Sequence, residues 1–362
     1  MHAASVEQHC AIRAVAAGRR IRALVQAMPL GERGRRAEAA LKPGAAISLE
    51  VDRAAEAAGL NCLEQLAGEI GFRIDVIADV ARGQIVSLGR SGRREVVFAQ
   101  LDAVDGTIKV GGLGNDVDGG RIRVANDGNW GTTLAFTAPS ARPLEQLRFA
   151  DFCVAAVIDG NPSRYRAHPE EVVTIPHGAT LVSYDVTGAP AVQAALRHAP
   201  PVFTSTNTTL NQGVVYLDGF QAFDYDTSQP GDDAIAAALY GVLIDRHQGG
   251  AFDVMRQYGN LSALLHVLLG WHGDAPWMES QGAGMVVVNE NLANLIPAVP
   301  IVAGAGGLSC DFDGGQIGER KLIDGRCSVI HAANSPLRER LLDVIARARE
   351  IARQPGSAPP SA

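Results

Sequence analysis

The chain has 362 residues, 47% apolar and 20% charged, a balance that suits a globular protein with a sizeable core and excludes wholesale disorder. Its net charge of −7 argues against nucleic acid or an anionic membrane as partner, because neither is drawn to a surface without basic excess. At this length two lobes are expected rather than one.

The lysines are Lys42, Lys109 and Lys321 alone among 32 basic residues. The arginine excess reads as composition, with room for phosphate recognition by arginine forks. Cys10, Cys62, Cys153, Cys310 and Cys327 are scattered without a C-x-x-C pair. That pattern favours free thiols in a reducing compartment, hence a cytoplasmic location, over a disulfide frame or zinc site. No run approaches the roughly 18 consecutive apolar residues of a membrane span.

In chain order, Ile12, Val15, Ile21, Leu24, Val25 and Met28 recur at roughly helical spacing. They predict an amphipathic helix packed on the body, because charges interrupt any signal-type apolar stretch. "GERGRRAEAALKPGAA" is a polar connection. "SLEVDRAAEAAGLNCLEQLAGEIGF" reads as a second helix with Val51, Ala55, Leu60, Leu63 and Leu66 near one face. "RIDVIADV", "REVVFAQL", "TTLAFTAP", "DFCVAAVID", "EEVVTI" and "ATLVSYDV" read as strands, short and rich in branched residues. Together they predict an antiparallel sheet covered by the first two helices.

The texture changes near residue 190. "AVQAALRHA" and the stretch from "DDAIAAALYGVLID" to "SALLHVLLGW" read as helical, with Gly241 and Gly249-Gly250 as breaks. "PVFTS", "GMVVV" and "GLSCDF" read as strands, and strands alternating with helices imply a second layered α/β lobe. "FTSTNTTLNQG" reads as a polar linker between lobes, with substrate hydroxyl recognition as the alternative. Ser335 and Pro336 open a terminal helix that Pro355 follows. The expected organisation is an N-terminal α+β lobe over residues 1–190, a C-terminal α/β lobe over 191–353 and a disordered tail over 354–362.

The chemistry concentrates in "LDAVDGT". Val96, Val97, Phe98 and Leu101 form a strand that delivers Asp102 and Asp105 to one edge. With no lysine or arginine between them these carboxylates repel unless a cation sits among them, and a hard divalent ion such as Mg²⁺ answers that need. Gly106 and Thr107 would then open a helix whose N–H groups hold an anion. The same residues also suit a strand ending in a tight Asp-Gly turn, with Asp105 as a helix cap.

"LDAVDGT" resembles the D-P-[IL]-D-G-[TS] signature of the inositol monophosphatase and fructose-1,6-bisphosphatase superfamily, the Mg²⁺-dependent, lithium-sensitive phosphatases. "SLEVDRAAE" resembles the family's T-E-A-D-R-A-A-E segment. "NLIPAVPIVAGAGGLSCDFDGG" resembles its D-x-A-A-L-x-P-I-V-E-x-A-G-G-x-x-x-D-x-x-G, and "RQYGNLSALLHVLLGWHGD" is a fainter echo of a family helix. The likeness runs from about residue 40 to 315.

It implies a five-layer α-β-α-β-α sandwich, a homodimer, and hydrolysis of a small sugar or cyclitol phosphate. Two or three Mg²⁺ ions, with Mn²⁺ as substitute, would make hydroxide available. Asp102, Asp105 and the Val104 carbonyl match metal ligands. Thr107 matches the residue that orients the attacking water, Asp52 its aspartate partner, and Gly106 with Thr107 the N–H donors to phosphate. Glu279 falls near the position that binds a substrate hydroxyl.

Two departures stand out. The family's Gly-Glu-Glu strand end reads "VIADVARG" here, which leaves Asp79, and less suitably Glu69, for the first glutamate. The third metal-binding aspartate becomes Asn294, with Glu290 nearby as a possible replacement; an amide oxygen binds cations without charge. The competing reading is therefore a catalytically silent relative that binds a sugar phosphate or serves as a partner subunit, or an enzyme retooled for other chemistry on a phosphosugar. The insertion over residues 112–131 reads as a Gly/Asp hairpin or a flap over substrate. There is no G-x-G-x-x-G, P-loop, G-x-S-x-G or H-E-x-x-H.

Overall fold

A computed structural model describes residues 3–29, 50–78, 85–90, 92–106, 130–160, 170–175, 180–182, 202–218, 230–256, 261, 264–271, 282–322 and 325–353. Asp79, Thr107, Glu279, the expected helix at 191–199, the tail from 354 and all but the end of the 112–131 insertion lie outside the described residues.

Seven strands make the first sheet: β1 (Arg73–Ala78), β2 (Ile85–Leu88), β3 (Val96–Gly106), β4 (Trp130–Thr137), β5 (Phe152–Asp159), β6 (Glu171–Thr174) and β7 (Thr180–Val182), in the order β2-β1-β3-β4-β5-β6-β7. The sheet is mixed rather than purely antiparallel, because β1 runs parallel to β3. Alternation along β3 sorts its side chains. Val97, Ala99 and Leu101 join one core with the first two helices, whereas Val96 and Phe98 join the core shared with the second sheet.

Helices α1 (Ala3–Ala27) and α2 (Glu50–Ile70) cover the outer face of this sheet. Val15, Ile21 and Val25 are buried as their spacing predicts, but Ile12, Leu24 and Met28 are only half-buried. Ala11, Ala14 and Ala17 occupy the closest contacts instead, since small side chains let the helix approach. Arg19 and Arg22 both bind the buried Glu171, at 2.6 and 2.8 Å, and tie α1 to β6. Paired on both sides, that carboxylate tolerates its burial.

Beyond residue 200 follow β8 (Val202–Thr204), β9 (Val214–Asp218), β10 (Asp253–Arg256), β11 (Leu269–Trp271), β12 (Gly282–Asn291), β13 (Leu308–Asp311) and β14 (Arg326–Ala332). Five of them form the second sheet, in the order β10-β9-β12-β14-β13, and β8 pairs with β11 separately. Helices α3 (Pro230–Ile244) and α6 (Ser335–Arg353) pack on its outer side. Between the two sheets lie the short helices α4 (Leu292–Leu295) and α5 (Ala298–Gly304) and a π-helical turn, Leu264–Leu268. The layers run α-β-α-β-α.

Several local expectations change. Gly241 lies inside α3 and does not break it. Residues 253–256 and 269–271, expected to be helical, are strands, and β9 and β14 were not anticipated. The terminal helix is capped by Asn334, whose Oδ1 accepts the Leu337 N–H at 3.1 Å, one residue before the expected Ser335.

Candidate functional site

The site is built from the C-terminal end of β3. Asp102 is buried, 6% exposed, and stands opposite Thr133 of β4. It has the parity of Val96 and Phe98, so it faces the layer between the sheets. The ladder then slips. Ala103 and Val104 fall within the register shift, and pairing resumes at Asp105 with Gly131 and Gly106 with Trp130. This bulge re-aims the strand between the two signature aspartates. Thr132 anchors it, its buried hydroxyl donating to the Ala103 carbonyl at 2.9 Å.

Gly106 is a strand residue paired with Trp130, and the helix expected from Thr107 onward lies outside the described residues. The Asp105 side chain, like Thr107, is outside the described parts. Val104 is half-buried within the bulge.

Asp52 sits in the first turn of α2 and is half-buried. The helix approaches β3 so closely that a Cβ on Gly59 would come within 2.8 Å of Leu101 Cδ2. From α2 the chain turns at Gly71 (φ 70) into β1, which is parallel to β3, so the start of α2 lies at the far end of β3. Two helical turns separate Asp52 from Gly59, about 11 Å, and four strand residues separate Leu101 from Asp105, about 13 Å. Asp52 thus reaches the level of Asp105. Glu69 occupies the opposite end of α2, bound by Arg13, and is removed from this edge.

Asn294 lies in α4, which packs against β3 and follows directly on β12. A second bulge, between Val287 and Glu290, bends β12 just before it. Its pivot is Asn289, left-handed at φ 51, with its N–H held by Ser328 Oγ at 3.0 Å. Asparagine tolerates that conformation better than most side chains. The Asn294 amide donates to Glu290 Oε1 at 3.1 Å.

One polar residue of this region was not anticipated. Gln100, 2% exposed, precedes Asp102 by two positions on the same face of β3. Its Nε2 donates to Thr133 Oγ1 at 3.4 Å while its Oε1 has no partner. Glutamine in an apolar strand run, in phase with the signature aspartate, was the available signal. Among the described residues no three of His, Cys, Asp or Glu gather into a ready cluster. The oxygen atoms present, carboxylate and amide, fit a hard divalent cation rather than a sulfur- or imidazole-seeking one.

No protein-family model and no curated protein matches the sequence. Solved structures do. The chain is 13% identical to an IMPase from Thermotoga maritima, with TM-score 0.56 over 93% of this chain and 97% of that one. It is 12% identical to an inositol monophosphatase from Anabaena, with TM-score 0.54 over 94% and 96%. It is 14% identical to a fructose-1,6-bisphosphatase from Leishmania major, with TM-score 0.56 over 94% and 92%. The fold is the inositol monophosphatase and fructose-1,6-bisphosphatase fold, across nearly the whole chain.

Proposed function

We propose that this chain is a Mg²⁺-dependent phosphomonoesterase acting on a small sugar or cyclitol phosphate. The observation that carries the reading is Asp102: a carboxylate buried at the end of β3, facing the interlayer, one bulge away from Asp105. Asp102, Asp105, the Val104 carbonyl and Asp79 would hold the ions, and Asn294 would offer an amide oxygen. Mg²⁺ bound there supplies charge neutralisation for the phosphoryl group and acidifies a water near neutral pH. Asp52 would pair with Thr107 to hold that water, the Gly106 and Thr107 N–H groups would receive phosphate oxygens, and Glu279 would meet a substrate hydroxyl. Positioning and electrostatics carry such a transfer, so small displacements of these groups matter.

The test is phosphate release from a panel of sugar, inositol and nucleotide esters, with Mg²⁺ or Mn²⁺ and with EDTA. Turnover that EDTA stops, and that Asp102→Asn lowers by about a hundredfold or more, is expected. Turnover unchanged in Asp102→Asn ends the assignment.

A second reading rests on Asn294, whose amide is engaged by Glu290: a silent relative that binds a sugar phosphate without cleaving it. Such a protein would melt at a higher temperature with ligand and release no phosphate.

A further inference from the structure

We propose that Gln100 is a metal ligand, its Oε1 completing the coordination of the divalent cation that Asp102 binds; this rests on reading the end of β3 as a metal-dependent phosphatase site. Three observations converge. Gln100 and Asp102 are alternate residues of one strand and share a face, so their Cβ atoms lie roughly 6–7 Å apart. Both side chains then reach one ion at the usual oxygen distances of about 2.1 Å for Mg²⁺.

The direction of the Gln100 side chain is fixed by its bond to Thr133. Thr133 stands opposite Asp102, whereas the residue opposite Gln100 itself is Ala135. Gln100 therefore leans along the strand toward the aspartate and not away from it.

Finally, its Oε1 is buried and unpartnered. A buried amide oxygen left without a donor is unfavourable by desolvation. A cation shared with Asp102 removes that penalty. The added donor also offsets, in number though not in charge, the carboxylate lost at Asn294.

The probe is Mn²⁺ alone, titrated into the full chain and followed by the electron paramagnetic resonance of the free ion, with no substrate present. Wild type is expected to bind. Gln100→Leu should bind about tenfold more weakly, the scale of losing one supporting polar group at a metal, and Gln100→Glu should bind several-fold more tightly. Without metal, Gln100→Leu should melt no lower than wild type, because an apolar group replaces an unmet oxygen. A purely structural glutamine predicts the reverse: lower melting and unchanged Mn²⁺ affinity. Equal binding by wild type and Gln100→Leu overturns the proposal while leaving the phosphatase reading intact. Wild type that binds no Mn²⁺ overturns both. If Gln100→Leu does not fold, Gln100→Met, which keeps length and lacks the oxygen, is read by the same criterion.

Discussion

The Asn294 side chain donates from Nδ2 to Glu290 Oε1 at 3.1 Å, across the junction of β12 and α4. Where the resembled family carries a carboxylate, this chain carries a donor, and the negative charge stands on its neighbour. Asn294→Asp would set two carboxylates against each other. Its melting temperature should fall by a few degrees without Mg²⁺ and recover most of that loss in millimolar Mg²⁺, a larger metal response than wild type shows. Differential scanning fluorimetry with and without Mg²⁺ checks this. Equal shifts in both proteins would show that no cation reaches this junction.

Thr132 holds the bulge between the signature aspartates by donating to the Ala103 carbonyl. Thr132→Val keeps the shape and leaves that buried carbonyl unmet, which costs about 1–3 kcal/mol. Urea unfolding should show this loss. Phosphate release should fall further than stability does, because the bulge sets the spacing of Asp102 and Asp105. Thr132→Ser, which restores the donor, should recover most of both.

His331 is fully buried, with Nδ1 2.8 Å from Ser309 Oγ and Nε2 unpartnered. Burial pushes its pKa down to about 4. Well above pH 6.5 the ring is neutral folded or unfolded and contributes no pH dependence. Between about 6.5 and 4 the unfolded chain binds the proton and the folded one does not, so stability falls as pH falls, by up to about 3 kcal/mol. His331→Asn should flatten this part of the profile, measured as denaturant midpoints at pH 7.5, 6 and 5. An unchanged slope in the variant would place the titration elsewhere.

Cys10, Cys153 and Cys310 should resist alkylation. Burial raises the Cys10 thiol far above its ordinary value, and pushes Cys153 and Cys310 up to about 11. Glu7, whose carboxylate lies 3.9 Å from Cys153 Sγ, adds to the effect. Since the thiolate is the reactive form, iodoacetamide at pH 8 should label these three slowly in native protein and fully in urea, as mass spectrometry of peptides would reveal. Rapid native labelling of Cys10 would mean that α1 lifts from the sheet.

The two helices before the first sheet, most of its strands and the terminal helix were legible because each has one periodicity and one buried face. β10 and β11 were not, since "FDVMR" and "LGW" sit within a long apolar stretch where a short strand and a helical turn look alike. β14 was hidden by Arg326, Ser328 and His331, polar residues that the sheet buries or pairs. At the site, the burial of Asp102 and the level of Asp52 follow from motif order. The partnership of Asn294 with Glu290 depends on the left-handed Asn289, and the role of Gln100 depends on a sheet covered on both faces. Neither leaves a periodic trace in the chain.

The position of α6 carries a consequence for synthesis. β12 is hydrogen-bonded to β14, and a Cβ on its Gly284 would lie 2.6 Å from Leu341 Cδ1 of α6, so the second sheet is closed and roofed by segments made long after β9. The first sheet draws its strands and both covering helices from earlier residues. A nascent chain can settle its front half on the ribosome while β9 and β12 still expose bare apolar backbone edges, and that interval is when a chaperone would be needed most.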